Sequence, residues 1–133
     1  EKGMTPSTPA IPQIHGLKYT LDKIFEEGVE KRHQRHALLN SMVHDWVADK
    51  GFELLPEKAY SSKSLTCVRN NLNMDVSGFV KALREEKKLA IDGGYGKIKG
   101  ETFRISNMGN ENEASIYHLL TNMDEILPRF LPS

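Results

Sequence analysis

The apolar period of this chain changes at Gly51, and that change decides which folds are open to it. Ahead of Gly51, Ile14, Leu17, Leu21, Ile24 and Phe25 recur at three- and four-residue spacing. His36, Leu39, Val43, Trp46 and Val47 then do the same, so two amphipathic helices are expected, parted by Glu26-Glu27-Gly28. The second ends at Gly51. After Gly51, residues 52–55 read as a short strand closed by Pro56, and residues 64–69 alternate as a longer one. Asn70-Asn71-Leu72-Asn73 is turn chemistry, and Asp75 is placed to cap a helix over 75–87 that turns Val76, Phe79, Val80 and Leu83 inward. Residues 89–91 and 102–106 read as two further strands. A last helix over 111–127 presents Ile116, Leu119, Leu120, Met123 and Leu127 before Pro128. The order α-α-β-β-α-β-β-α predicts an α+β fold, a two-layer sandwich of a small, mainly antiparallel sheet covered by helices.

Composition narrows the function classes. At 133 residues the chain is one domain's worth. Eighteen Lys and Arg balance eighteen Asp and Glu, which removes the electrostatic case for non-specific nucleic-acid binding. Apolar runs are far shorter than the ~20 residues of a membrane helix, so no membrane association is expected. No basic stretch followed by an apolar one opens the chain, and a secretory signal is not expected either. A single cysteine, Cys67, forms no internal disulfide and suits a reducing compartment, the cytoplasm. The opening run, with Pro6, Pro9 and Pro12, reads as an extended linker over 1–12 within a larger protein, followed by a domain over 13–133.

Four groups of residues are candidates for chemistry. His33, His36 and His44 lie on one expected helix, but no Cys or carboxylate completes a metal set at a familiar spacing, so no metal site and no metal-dependent hydrolase is expected. Gly93-Gly94-Tyr95-Gly96 has the look of a phosphate loop, yet a strand rather than a helix N-terminus follows it, and a tight β–β connection is the simpler reading. Lys63 among Ser61, Ser62 and Ser64 lacks the apolar surroundings that would lower a lysine pKa. Arg104 stands apart. It sits mid-strand between Phe103 and Ile105, which share the face packed under helices, so its guanidinium projects from the opposite face. A planar fork in that position suits a carboxylate, although a surface pair with a nearby acid is the commoner use.

The segment from Gly93-Gly94-Tyr95-Gly96 through Lys97-Ile98-Lys99-Gly100 to Phe103-Arg104-Ile105 and Met108-Gly109 resembles the C-terminal small domain of class V pyridoxal-phosphate-dependent aminotransferases. The nearest subgroups are the alanine–glyoxylate/serine–pyruvate and phosphoserine aminotransferase-like enzymes. Thr5-Pro6-Ser7-Thr8-Pro9-Ala10-Ile11-Pro12 is similar to the linker that follows the large domain in that family. The resemblance implies that Arg104 binds the substrate α-carboxylate, with Gly94 in a loop near the substrate. It implies that Thr8 and Thr5 reach the cofactor phosphate of a partner subunit in a homodimer. The sequence departs from the family at Ser106-Asn107, where Gly-His or Gly-Leu is usual, and at Thr5, where some relatives carry an aromatic residue.

The resemblance also implies what is missing. The Schiff-base lysine, the acid on the pyridine nitrogen and the ring-stacking aromatic all belong to a preceding domain. No catalytic residue is therefore expected in these 133 residues, no tightly bound pyridoxal phosphate, and no transamination by the chain alone. The partners implied for the intact enzyme are an amino acid and a 2-oxo acid. The alternative reading is an independent α+β module that binds a small molecule or regulates through Arg104.

Overall fold

A computed structural model describes residues 7–132. The chain divides into two compact units, one ending at Gln34 and one running from Arg35. The first unit holds helix α1 (Ile11–Glu27) and the opening of helix α2 (Val29–Asp49). α1 begins two residues before the expected start, because Pro12 fits the first helical turn, where its missing N–H is no loss. The extended stretch expected over 1–12 is shorter by the same amount, and residues 1–6 lie outside the described residues. Gly28, at φ +90°, separates the two helices as expected. No residue of α1 is buried: Leu17 is 58% exposed and Phe25 70%.

The second unit contains the core. α2 contributes Leu39, Val43, Trp46 and Val47, spaced at three and four residues so that one stripe faces inward. Three strands follow its end, β1 (Glu53–Leu54), β2 (Leu65–Arg69) and β3 (Thr102–Ser106), forming an antiparallel sheet in the order β1-β2-β3. β2 and β3 are in register, with Thr66 opposite Ile105 and Val68 opposite Phe103 on the buried face. Helices α3 (Val76–Glu86) and α4 (Glu113–Ile126) complete the layer. Phe79 and Phe103 are fully buried, and Phe103 meets both Phe52 and Phe79 edge-on, at 5.2 and 6.3 Å between ring centres.

Helix ends are set locally. The Asp75 carboxylate accepts from Gly78 N at 3.0 Å, and Asn112 and Ser115 form a reciprocal capping box at the start of α4. Pro128 does not end α4 abruptly but sits within a 3-10 turn, Leu127–Arg129, that continues it.

One expected strand is absent. Residues 89–91 form no strand, and among the described residues three strands stand where four were expected. The chain leaves α3 through Lys88 at φ +58°, and Leu89 N donates to Leu83 O at 3.1 Å, so the first residue of the run closes the helix rather than pairing with a strand. Only at Asp92 does it reach the edge of β3, as an isolated bridge to Arg104.

Arg129 pairs with Glu86 through two parallel hydrogen bonds, Nη1 to Oε2 at 2.7 Å and Nη2 to Oε1 at 2.8 Å. The Arg129 hydrogen bonds hold the Glu86 carboxyl below its ordinary value of 4.5. A carboxyl depressed in the folded state stabilises above the unfolded value, and that stabilisation is lost as pH falls through the folded value. The stability difference between wild type and Glu86→Gln should therefore shrink when urea melts are run below the ordinary carboxylate value. As an exposed pair it should also weaken with added salt. A difference that persists unchanged in acid would rule out the ion pair as its source.

Candidate functional site

The alternation of β3 sends Phe103 and Ile105 into the core and Thr102, Arg104 and Ser106 to the other face of the sheet. There Arg104 lies opposite Cys67 of β2. Its side chain is 32% exposed, within reach of solvent yet flanked by the sheet.

Asp92 fixes this arginine from the edge of β3. Arg104 N donates to Asp92 O at 2.7 Å, and Asp92 N returns a bond to Arg104 O at 3.2 Å. The side chains repeat the contact, with Arg104 Nε donating to Asp92 Oδ1 at 3.0 Å and Nη2 ion-paired with the same oxygen at 2.8 Å. Gly94 N donates to that oxygen as well, at 2.8 Å. One carboxylate oxygen thus accepts two N–H bonds and ion-pairs with Nη2. Nη1 is left without a partner among the described residues.

Gly94 has its own constraint. Its φ is +85°, and a Cβ built there would stand 2.6 Å from both Ile98 O and Thr102 Oγ1. The loop is closed behind it by Gly100 N donating to Gly93 O at 3.0 Å. Arg104 and Gly94 are therefore brought together through Asp92, with the glycine serving as a close-packed hinge of the loop.

Beside Arg104 opens a cleft of about 400 Å³, lined also by Leu65, Ala90, Ile91, Asp92, Ser106 and Met108. Its walls are mainly apolar, with the guanidinium as the one cation. Burial pushes the half-buried Cys67 thiol up, with the Asp92 charge adding to it, while a hydrogen bond with Thr102 and the Arg104 charge pull the other way.

The remaining candidates are placed as follows. Thr8 is exposed, in the segment ahead of α1, and Thr5 lies outside the described residues. His33 is exposed, and His36 is half-buried with Nδ1 donating to Asn107 O at 2.8 Å. Among the described residues no three His, Cys, Asp or Glu side chains gather as a metal site. Lys63 is exposed. Of the lysines whose surroundings are described, only Lys50 and Lys87 are half-buried, and both are ion-paired, with Asp49 and Asp124 and with Glu125. None is the desolvated, unpaired amine that would hold an aldehyde cofactor. Among the described residues, the open edge of Arg104 has the chemistry to meet a carboxylate, and no lysine has the surroundings that would anchor such a cofactor.

Two residues escaped the sequence reading. Asp92 was legible only as the start of a loop, although Asp followed by Gly-Gly is the signal for a side chain that accepts from the N–H two residues on. Asn107, fully buried, was marked only as a departure from the family pattern, with no sign of its partners. Its amide donates at 3.0 Å to both His36 O and Lys63 O, tying α2 and the entry of β2 to the end of β3.

No model of a known protein family matches the chain. Curated relatives do. It is 33% identical over 123 residues to a serine–glyoxylate aminotransferase of Arabidopsis thaliana, covering 92% of this chain and 31% of that protein. It is 30% identical over 115 residues to the serine–glyoxylate aminotransferase of Methylorubrum extorquens, covering 86% and 29%. The chain thus spans under a third of the length of these relatives. Among solved structures, the alanine–glyoxylate aminotransferase of Nostoc sp. matches with a TM-score of 0.83 at 26% identity, over 93% of this chain and 33% of the other. The pyridoxamine–pyruvate aminotransferase of Mesorhizobium loti matches with a TM-score of 0.84 at 25% identity, over 98% and 34%.

Proposed function

We propose, from the premise that this chain is in sequence and fold the C-terminal small domain of a class V aminotransferase, that it supplies the carboxylate-binding half of a site that moves an amino group between an amino acid and a 2-oxo acid. The reading rests above all on Arg104, fixed on the sheet face away from the core and bordering an apolar cleft. A guanidinium so placed binds the α-carboxylate that donor and acceptor share, and so orients both in the same way. Pyridoxal phosphate, carried by the family, supplies the carbanion chemistry when bound to the intact enzyme. Its anchor is not among the side chains described above, and Thr8 and Thr5 are proposed only as donors to its phosphate. The independent binding module is not favoured, because the match to the aminotransferases runs along nearly the whole chain.

The domain division belongs to the same reading: residues 1–12 as a linker and 13–133 as the small domain. So does a homodimer in the cytoplasm. α1 supports the dimer, since Ile14, Leu17, Leu21 and Phe25 form an exposed apolar stripe at helical spacing, a surface that favours association. Sedimentation of the chain should show a dimer or larger species at tens of micromolar, whereas a clean monomer would remove the self-association reading.

The test of the function is Arg104→Ala in an aminotransferase carrying this segment. KM should rise by roughly ten- to a hundredfold for donor and acceptor alike, the loss expected for a charge-assisted pair. Unchanged kinetics for both substrates would remove Arg104 from the site.

A further inference from the structure

We infer that Asp92 is a positioning residue for carboxylate recognition: it locks one edge of the Arg104 guanidinium so that the remaining edge is presented, already oriented, to the ligand. The inference rests on the reading of Arg104 as the carboxylate anchor and adds to it a residue which that reading does not supply.

The geometry carries the argument. A guanidinium has a side edge, Nε with one Nη, and an end edge formed by its two Nη groups. Asp92 Oδ1 occupies the side edge alone, at 3.0 Å from Nε and 2.8 Å from Nη2. Nη1 has no partner among the described residues, so the end edge stays open to a second carboxylate. Asp92 is itself held at three points: its N–H and C=O pair with Arg104, and its Oδ1 receives Gly94 N. A free arginine side chain loses considerable rotamer freedom when it binds. Here that freedom is already removed before a ligand arrives, which is the physical content of preorganisation.

Asp92 also sets the charge of the site. Its carboxylate compensates the guanidinium, so the pair as a whole carries no net charge. A carboxylate ligand is then recognised by directed N–H bonds at short range rather than by a long-range positive field. The acceptor geometry, rather than the charge, is what the clamp requires. Asparagine keeps an oxygen in that place, while alanine removes it.

The experiment follows the Arg104 Nε–H resonance by nitrogen-15 NMR in the full chain, assigned with Arg104→Lys, using pyruvate as the probe. In the wild type the Nε proton should be protected from exchange, and pyruvate should shift it. In Asp92→Ala the proton should exchange, and the pyruvate Kd should rise, by roughly tenfold each. Asp92→Asn should keep both within about threefold of wild type, the rescue expected of a geometric clamp. Exchange and Kd unchanged in Asp92→Ala would overturn the role of Asp92 and leave Arg104 as the anchor. Asp92→Asn behaving as badly as alanine would overturn the clamp geometry, and it decides the matter if the alanine variant does not fold. Pyruvate leaving the wild-type Arg104 signal unmoved would instead remove the carboxylate reading itself, whatever Asp92 does to exchange.

Discussion

Replacing Asn107 by alanine should destabilise the second unit by about 3 kcal/mol, with a matching fall in the urea midpoint. The side chain is fully buried, and its amide donates to His36 O and Lys63 O. Alanine leaves both carbonyls in the interior without these donors and opens a small void beside them. Each unsatisfied carbonyl costs about 1–3 kcal/mol, partly relieved if water enters. Asn107→Asp should be worse than alanine, because it faces a carboxylate toward carbonyl oxygens at a site with no solvent. The Asn107 backbone pairs, its N to Ser64 O and its O with His36 Nδ1, remain in either variant. A midpoint within error of wild type for Asn107→Ala would show that the side chain ties nothing together. The position matters for function because it follows the last residue of β3, two residues beyond the buried Ile105 and three beyond Arg104.

Gly94→Ala should cost a similar amount by a different route. The backbone at φ +85° is strained for any residue with a Cβ, a penalty of about 1–3 kcal/mol. The added carbon would also stand 2.6 Å from a backbone oxygen, Ile98 O, which has little freedom to retreat. The melting temperature should fall by roughly 10 °C. If the loop shifts to relieve the clash, Gly94 N leaves Asp92 Oδ1, and carboxylate binding weakens together with stability. An alanine variant that melts like wild type would mean that the loop does not need this conformation. Gly93 offers the comparison, since a Cβ there would meet only ordinary contacts with Val76 and Val80.

Much of the fold is legible because its elements are long and periodic. α2 declares its buried stripe through Leu39, Val43, Trp46 and Val47, and α4 through Ile116, Leu119, Leu120 and Met123. β3 declares its two faces by alternation, and this is how Arg104 is recognisable as a residue outside the core. Residues 89–91 misled because Leu-Ala-Ile is apolar and short, and such a run does not reveal that Lys88 turns the chain away first. The start of α1 was placed late because Pro12 reads as a breaker, whereas in a first turn it is well tolerated.

The candidate site was half legible. Arg104 could be found from its strand and from the flanking motif, and Gly94 from its loop. What joins them could not, because the Asp92 contact spans twelve residues and depends on the loop folding back along the edge of β3. Asn107 is hidden for the same reason: its partners, at His36 and Lys63, are distant in the chain.

The central claim is the proposal that this chain holds the carboxylate side of an aminotransferase site, with no anchor for the cofactor among its described lysines. It is tested most directly by titrating the chain with pyridoxal phosphate, fixing any covalent adduct with borohydride, and mapping the lysines by mass. The account predicts sparse labelling spread over exposed lysines, with no single site reaching stoichiometry. One lysine labelled stoichiometrically, at Lys63 or Lys97 for instance, would contradict it, because the chain would then hold a cofactor pocket of its own.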